Sequence, residues 1–161
     1  MEQIIKTTNL GPKQQRYKEL LPQVKALLAS EKNMLSKMAN LTAILKNSFD
    51  WLWVGFYIVD KDSLNELMLG PFQGPVACFR IQKGRGVCGA AWQEKRTIVV
   101  PNVHEFPGHI ACSALSNSEI VLPVLAANAE VIAVLDIDSK EFNCFDDVDV
   151  HYLNLLLKTL L

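Results

Sequence analysis

The sequence predicts an α+β domain in which helices cover one face of a mainly antiparallel sheet of about six strands. Three observations carry that reading. Amphipathic helical stretches stand at both ends of the chain, short aromatic and β-branched runs separated by turn residues fill the middle, and two apolar runs near the C-terminal end are joined by a four-residue polar turn.

From Pro12 to Ser30, Tyr17, Leu20, Leu21, Val24, Leu27 and Leu28 recur at helical spacing, with Pro22 as a candidate kink. Glu31 to Asn47 forms a second helix with Met34, Leu35, Met38, Leu41 and Leu45 on one stripe. These stripes suit either a dimer contact or a cover for the sheet. Trp51 to Val59 then reads as a strand, and the turn Asp60 to Glu66 leads to a return strand at Leu67 to Leu69 that Pro71, Gly74 and Pro75 break. Ala77 to Ile81 is a further short strand, Gly84 to Gly86 a turn, Val87 to Glu94 a short helix and Thr97 to Val100 another strand. Pro101 to Ser118 shows no sustained period, and so long an irregular segment is often functional. Glu119 to Ala126 and Val131 to Ile137 form a hairpin. From Phe145 onward a closing helix is expected, capped by Asp146 or Asp147.

At 161 residues one domain is the expectation: a helical part at 1–47, sheet and loops at 51–139, and the closing helix at 145–161. Sixteen Lys and Arg nearly balance seventeen Asp and Glu, which leaves no basic field for nucleic acid or an anionic membrane. No apolar run approaches the roughly 20 residues of a membrane span, and no leader pattern opens the chain, so a cytoplasmic protein is expected. Thiols stay reduced there, and the four cysteines read as buried, metal-binding or redox-active rather than as a disulfide framework.

Cys78, Cys88 and Cys112 fall in or beside turns. Nine residues separate the first two and twenty-three the next two, unlike the close C-x-x-C pairs of structural zinc sites, and His109 with Cys112 makes only one such pair. Redox chemistry needs a thiolate and a second thiol able to reach its sulfenic acid, with no demand on sequence spacing. His109, three residues before Cys112, is a setting that can lower a thiol pKa. Cys144 reads as structural. Asp136 and Asp138 alternate on a strand and share a face, with Glu119 positioned to lie beside them across the hairpin. Buried carboxylates of that kind need donors from a ligand or else take up protons. Trp53 and Tyr57 also share one face, as pocket lining or as aromatic core.

Five segments in order carry a family resemblance: WVGFY at Trp53 to Tyr57, GRGVCGAAW at Gly84 to Trp92, VPNVHEFPGHIAC at Val100 to Cys112, SNSEIVLPV at Ser116 to Val124, and LDIDS at Leu135 to Ser139. Over nearly its whole length the chain resembles the free methionine-(R)-sulfoxide reductases, a family of stand-alone GAF domains. The resemblance implies reduction of the free amino acid rather than of protein-bound methionine sulfoxide. It implies Cys112 as the catalytic cysteine, Cys78 as the resolving one and Cys88 as a third redox cysteine, with Glu119, Asp136 and Asp138 as site acids and Trp53 and Tyr57 around the substrate. The mechanism it implies is attack by Cys112 on the sulfoxide sulfur, with Glu119 or Asp138 protonating the oxygen and Asp136 facing the substrate ammonium. A sulfenic acid, a disulfide and reduction by a thioredoxin-like donor follow, with no metal or organic cofactor. Asn102 and Ser113 depart from the family pattern, where Asp is usual, which bears on substrate affinity more than on chemistry. The competing readings are a GAF module that senses a small ligand and a peroxide-sensing thiol protein.

Overall fold

The structure, a computed structural model, describes residues 5, 11–63, 65–110 and 112–161. Helices α1 (Lys13–Leu28) and α2 (Met34–Ser48) lead into strands β1 (Trp53–Val59), β2 (Glu66–Gln73) and β3 (Arg80–Gln82). Helix α3 (Gly86–Glu94), strand β4 (Ile98–Val100), a short 3-10 turn (Val103–Glu105), strands β5 (Ser118–Leu125) and β6 (Val131–Ser139), and helix α4 (Asp147–Leu157) complete the order. The six strands form one sheet in the order β3-β2-β1-β6-β5-β4, every neighbouring pair antiparallel. Among the described residues no helix is long and apolar enough to cross a membrane.

The sheet has two unlike faces. Val54 and Phe56 of β1, Ile120, Leu122 and Val124 of β5, and Ala133, Leu135 and Ile137 of β6 pack with α1, α2 and α4 into one core. Strand alternation sends their neighbours Trp53, Tyr57, Val121 and Val134 to the opposite face, where α3 packs. Most of the apolar stripes of α1 and α2 are used inside the chain, with Tyr17, Leu20, Val24, Met38, Leu41 and Leu45 buried; α2 lies on β1 and β2 and α1 packs on α4, while Leu35, expected on the α2 stripe, is exposed. An aromatic stack ties the helical layer together, Tyr17 lying 4.6 Å from Phe49 and 5.1 Å from Tyr152 between ring centres.

A buried carboxylate closes this face. Asp149, 1% exposed, accepts from the Tyr17 hydroxyl at 2.8 Å, from Lys13 Nζ at 2.6 Å and from the Asp146 backbone N–H at 2.9 Å. The last contact is half of a capping box in which Asp146, the N-cap, accepts from the backbone of Val148 and Asp149.

Several boundaries differ from the sequence expectation. Helix α2 starts at Met34 rather than Glu31, because Asn33 caps it through Ser36 N–H while Glu31 accepts from the backbone of Lys32 and Asn33. Pro71 does not break β2. The β1–β2 register slips between Gly55 and Tyr57, so Gly70 and Pro71 lie at an irregularity where a missing N–H costs no ladder bond. Strand β3 lies at Arg80–Gln82, paired with Glu66 to Met68, and not at Ala77 to Ile81. Pro22 is accommodated inside an α1 that continues past it to Leu28.

Candidate active site

The site grows from the register of three strands. Asp138 of β6 stands opposite Glu119 on β5 and Trp53 on β1, and Asp136 stands opposite Val121 and Gly55. All these side chains leave on the α3 face, which brings three carboxylates into one patch, an arrangement that is destabilising unless something answers it. Gly55 matters here, because a Cβ at this position would collide with the Trp53 ring and with Phe72. Without one, Trp53 lies flat over the strand, 5.9 Å from Tyr57 and 5.4 Å from Phe72 between ring centres.

Helix α3 roofs the patch and points Cys88 into it. Two glycines let the helix sit so close: Gly86 has φ +60°, and a Cβ on Gly89 would run into the Gln82 carbonyl. The irregular segment after β4 supplies the rest. His109 Nε2 lies 3.1 Å from Glu119 Oε2, and the Ser116 hydroxyl donates to Asp138 Oδ1 at 2.6 Å. Between them Cys112 reaches the rim, its Sγ 2.6 Å from that of Cys78.

Cys78 belongs to the strap between β2 and β3. Trp53 Nε1–H donates to the Pro75 carbonyl at 3.0 Å, and the Tyr57 hydroxyl donates to the Cys78 carbonyl at 3.0 Å. The two aromatics therefore hold the strap through their polar ends while lining the cavity with their rings.

The cavity is bounded by Trp53, Tyr57, Cys88, Cys112, Glu119, Asp136 and Asp138, with Val76, Ile110 and Arg85 among its other walls. Its free volume is about 30 Å³, room for a single water. A ligand the size of an amino acid requires these walls to part.

Burial sets the electrostatics. Glu119 and Asp136 are held well above the usual carboxylate range, first by burial and then by the neighbouring Asp138 charge. Asp138 is raised by burial too, but the Ser116 hydroxyl and His109 oppose the rise, so it is the acid best able to keep its charge. Burial also pushes up the Cys88 thiol, with Asp136 and Glu119 adding to it. Asp136 Oδ1 is buried and, among the described residues, has no hydrogen-bond partner. Such an atom is costly unless a ligand's donor meets it.

One expectation is overturned. His109 does not lower the Cys112 pKa: its imidazole is engaged with Glu119, and burial lowers its own pKa against the pull of Asp138. The Cys112 thiol, exposed on its outer side, is instead pushed up to about 12 by partial burial and by the adjoining Cys78 sulfur.

The structure thus brings together Cys78, Cys88, Cys112, Glu119, Asp136, Asp138, Trp53 and Tyr57, with Cys78 reaching the group through Cys112. Cys144, half-buried, packs against the helical core. Asn102 stands outside the cavity walls, capping the 3-10 turn through His104 N–H and donating to Glu105 at 3.0 Å, whereas Ser113 lines the cavity. Ser116 was not singled out as a site residue in the sequence, where its signals are a position inside the long irregular segment and at the start of the segment Ser116 to Val124. Spacing likewise could not reveal that Cys88, Glu119 and Asp136 place one donor atom each within 4.8 Å of one another, because they come from a helix and two strands.

The comparisons with known proteins agree with this geometry. The GAF domain family matches residues 34–160. The GAF domain-containing protein A of Dictyostelium discoideum is 56% identical over 150 residues, 93% of each chain. The free methionine-R-sulfoxide reductase of Escherichia coli is 46% identical over 145 residues, 89% of this chain and 86% of that one. Among solved structures, the free methionine-R-sulfoxide reductase of Neisseria meningitidis in complex with its substrate superposes with a TM-score of 0.93 at 48% identity, covering 98% of this chain and 92% of that one. A sheet of this topology, a thiol pair at its rim and likeness over nearly the full length converge on one assignment: the chain belongs to the GAF family, in the group that contains the free methionine-R-sulfoxide reductases.

Proposed function

We propose that the protein, acting as one GAF domain, reduces free L-methionine (R)-sulfoxide to methionine in this cavity. One observation carries the reading: a pair of thiols 2.6 Å apart sits at the rim of a cavity whose floor holds three buried carboxylates, one with an unpartnered oxygen. The relatives' names supply the substrate, and the site supplies a place for each of its groups.

Asp136 Oδ1 accepts from the substrate ammonium, which a residue inside a peptide lacks. The rings of Trp53 and Tyr57 suit the methyl group. Glu119, protonated through burial, gives its proton to the sulfoxide oxygen as Cys112 Sγ attacks the sulfur. The Cys112 thiol is protonated at neutral pH, so its proton leaves during the attack, with Asp138, the site carboxylate whose rise Ser116 and His109 oppose, as the acceptor in the cavity. Hydroxyl passes to Cys112, which becomes a sulfenic acid while the substrate sulfur is reduced by two electrons to the thioether. Cys78 then attacks Cys112, water leaves and a disulfide forms. The 2.6 Å separation favours Cys78 over Cys88 for this step, since Cys88 is buried on α3. A thioredoxin-like dithiol restores the pair, as expected in the cytoplasm.

The test follows NADPH consumption with thioredoxin, thioredoxin reductase and each epimer of free methionine sulfoxide. Turnover of the R epimer alone is expected, falling by about a thousandfold or more in Cys112→Ser. Fully reduced protein that turns over neither epimer overturns the reading. Oxidation by peroxide without turnover would then favour a thiol sensor.

A further inference from the structure

Cys88, Glu119 and Asp136 form a cluster that the proposed reaction uses only in part. Their donor atoms lie within 4.8 Å of one another, all three residues are buried, and Asp136 Oδ1 has no partner among the described residues. We infer that this cluster is a binding site for Zn²⁺, held by the Cys88 thiolate and one oxygen each of Glu119 and Asp136, and that the ion inhibits the enzyme by occupying the ammonium subsite.

The donor set selects the metal. One sulfur and two carboxylate oxygens suit a tetrahedral Zn²⁺, with Zn–S of about 2.3 Å and Zn–O of about 2.0–2.2 Å. Ligands at those lengths stand roughly 3.5 Å apart, and the three donor atoms already lie within 4.8 Å of one another. Mg²⁺ and Ca²⁺ take six or more oxygens and find too few here. The cavity of about 30 Å³ has room for one water beside the cluster as fourth ligand. His109, bonded to Glu119, fixes one ligand from behind, as outer partners do in metal sites. Charge favours the ion as well, because a dication answers the crowding of Glu119, Asp136 and Asp138 that otherwise drives them to hold protons.

Binding is an exchange of protons and involves no electrons: the Cys88 S–H bond breaks, its proton goes to solvent, and a Zn–S bond forms. Competition with the sulfoxide rests on the proposed function; binding itself does not.

The experiment titrates fully reduced, anaerobic protein with Zn²⁺ against a chelating dye, and with Co²⁺ for its thiolate charge-transfer absorption. One Zn²⁺ per chain is expected, with affinity falling at least about tenfold in Cys88→Ser and in Asp136→Asn and holding in Cys78→Ser and Cys112→Ser. Glu119→Gln serves in place of Cys88→Ser if that variant does not fold. Undiminished binding in folded Cys88→Ser or Glu119→Gln, loss of binding in Cys112→Ser, or equal affinity for Mg²⁺ overturns the inference. No binding alongside normal sulfoxide turnover overturns it alone. Zinc binding by a protein that, freed of zinc, reduces neither epimer overturns only the proposed function.

Discussion

Two buried carboxylates on opposite sides of one sheet show how differently the same group can be used. Asp149, on the helical side, meets the Tyr17 hydroxyl, Lys13 and the Asp146 N–H. Asp136, on the α3 side, keeps one oxygen with no partner among the described residues and has the carboxyl groups of Glu119 and Asp138 as neighbours. The first is a structural fastening, because both oxygens that burial strips of water are answered by donors inside the chain. The second is an open valence, and the chain tolerates its cost because a ligand answers it. Burial alone does not distinguish them, at 1% and 7% exposed; the partners do.

Removing each charge in turn should separate the two carboxylates. Asp149→Asn leaves Lys13 without its buried partner and disrupts the capping box, and should cost about 3 kcal/mol of stability by denaturant unfolding, with KM unchanged. Asp136→Asn should leave stability unchanged or raise it. Its effect appears in turnover: KM for the free sulfoxide should rise about thirtyfold, matching the loss of about 2 kcal/mol from one charge-assisted hydrogen bond. Should Asp136→Asn unfold the protein while Asp149→Asn does not, the two roles have been assigned the wrong way round.

The two carboxylates should also differ in how stability depends on pH. Asp136 and Glu119 have folded-state pKa values above those of the unfolded chain, so in the interval between the two values the native state binds more protons. They favour folding fully below the unfolded carboxylate pKa, and that contribution is lost as pH rises towards the raised folded values. The thermal midpoint of wild type minus that of Asp136→Asn should therefore fall as pH increases from 4 to 8. A difference that grows with pH would mean that the carboxylate is satisfied as an anion.

Much of this was legible in the sequence, for physical reasons that differ by element. Alternation on β6 put Asp136 and Asp138 on one face, and the hairpin register placed Glu119 opposite Asp138, because a strand has a period of two and a short turn fixes the pairing. The helices showed in their apolar stripes, and Asp146 in its capping position. Pro71 misled because tolerance of proline depends on the register of the neighbouring strand, which local sequence does not show. His109 misled because proximity in the chain says nothing of which side chain it bonds, and Glu119 proved its partner rather than Cys112. The meeting of Cys78 with Cys112, thirty-four positions apart, came only through the family resemblance, since it depends on the strap that Trp53 and Tyr57 hold.

The rim thiols act as a pair over an acidic floor. A single turnover tests this pairing: reduced protein is mixed with one equivalent of free methionine (R)-sulfoxide without reductant, quenched by alkylation and mapped by peptide mass spectrometry. A Cys78–Cys112 disulfide formed in step with methionine, with Cys88 still alkylatable after unfolding, is the predicted result. A Cys88–Cys112 disulfide, or methionine formed with Cys78 and Cys112 both still free thiols, would contradict it.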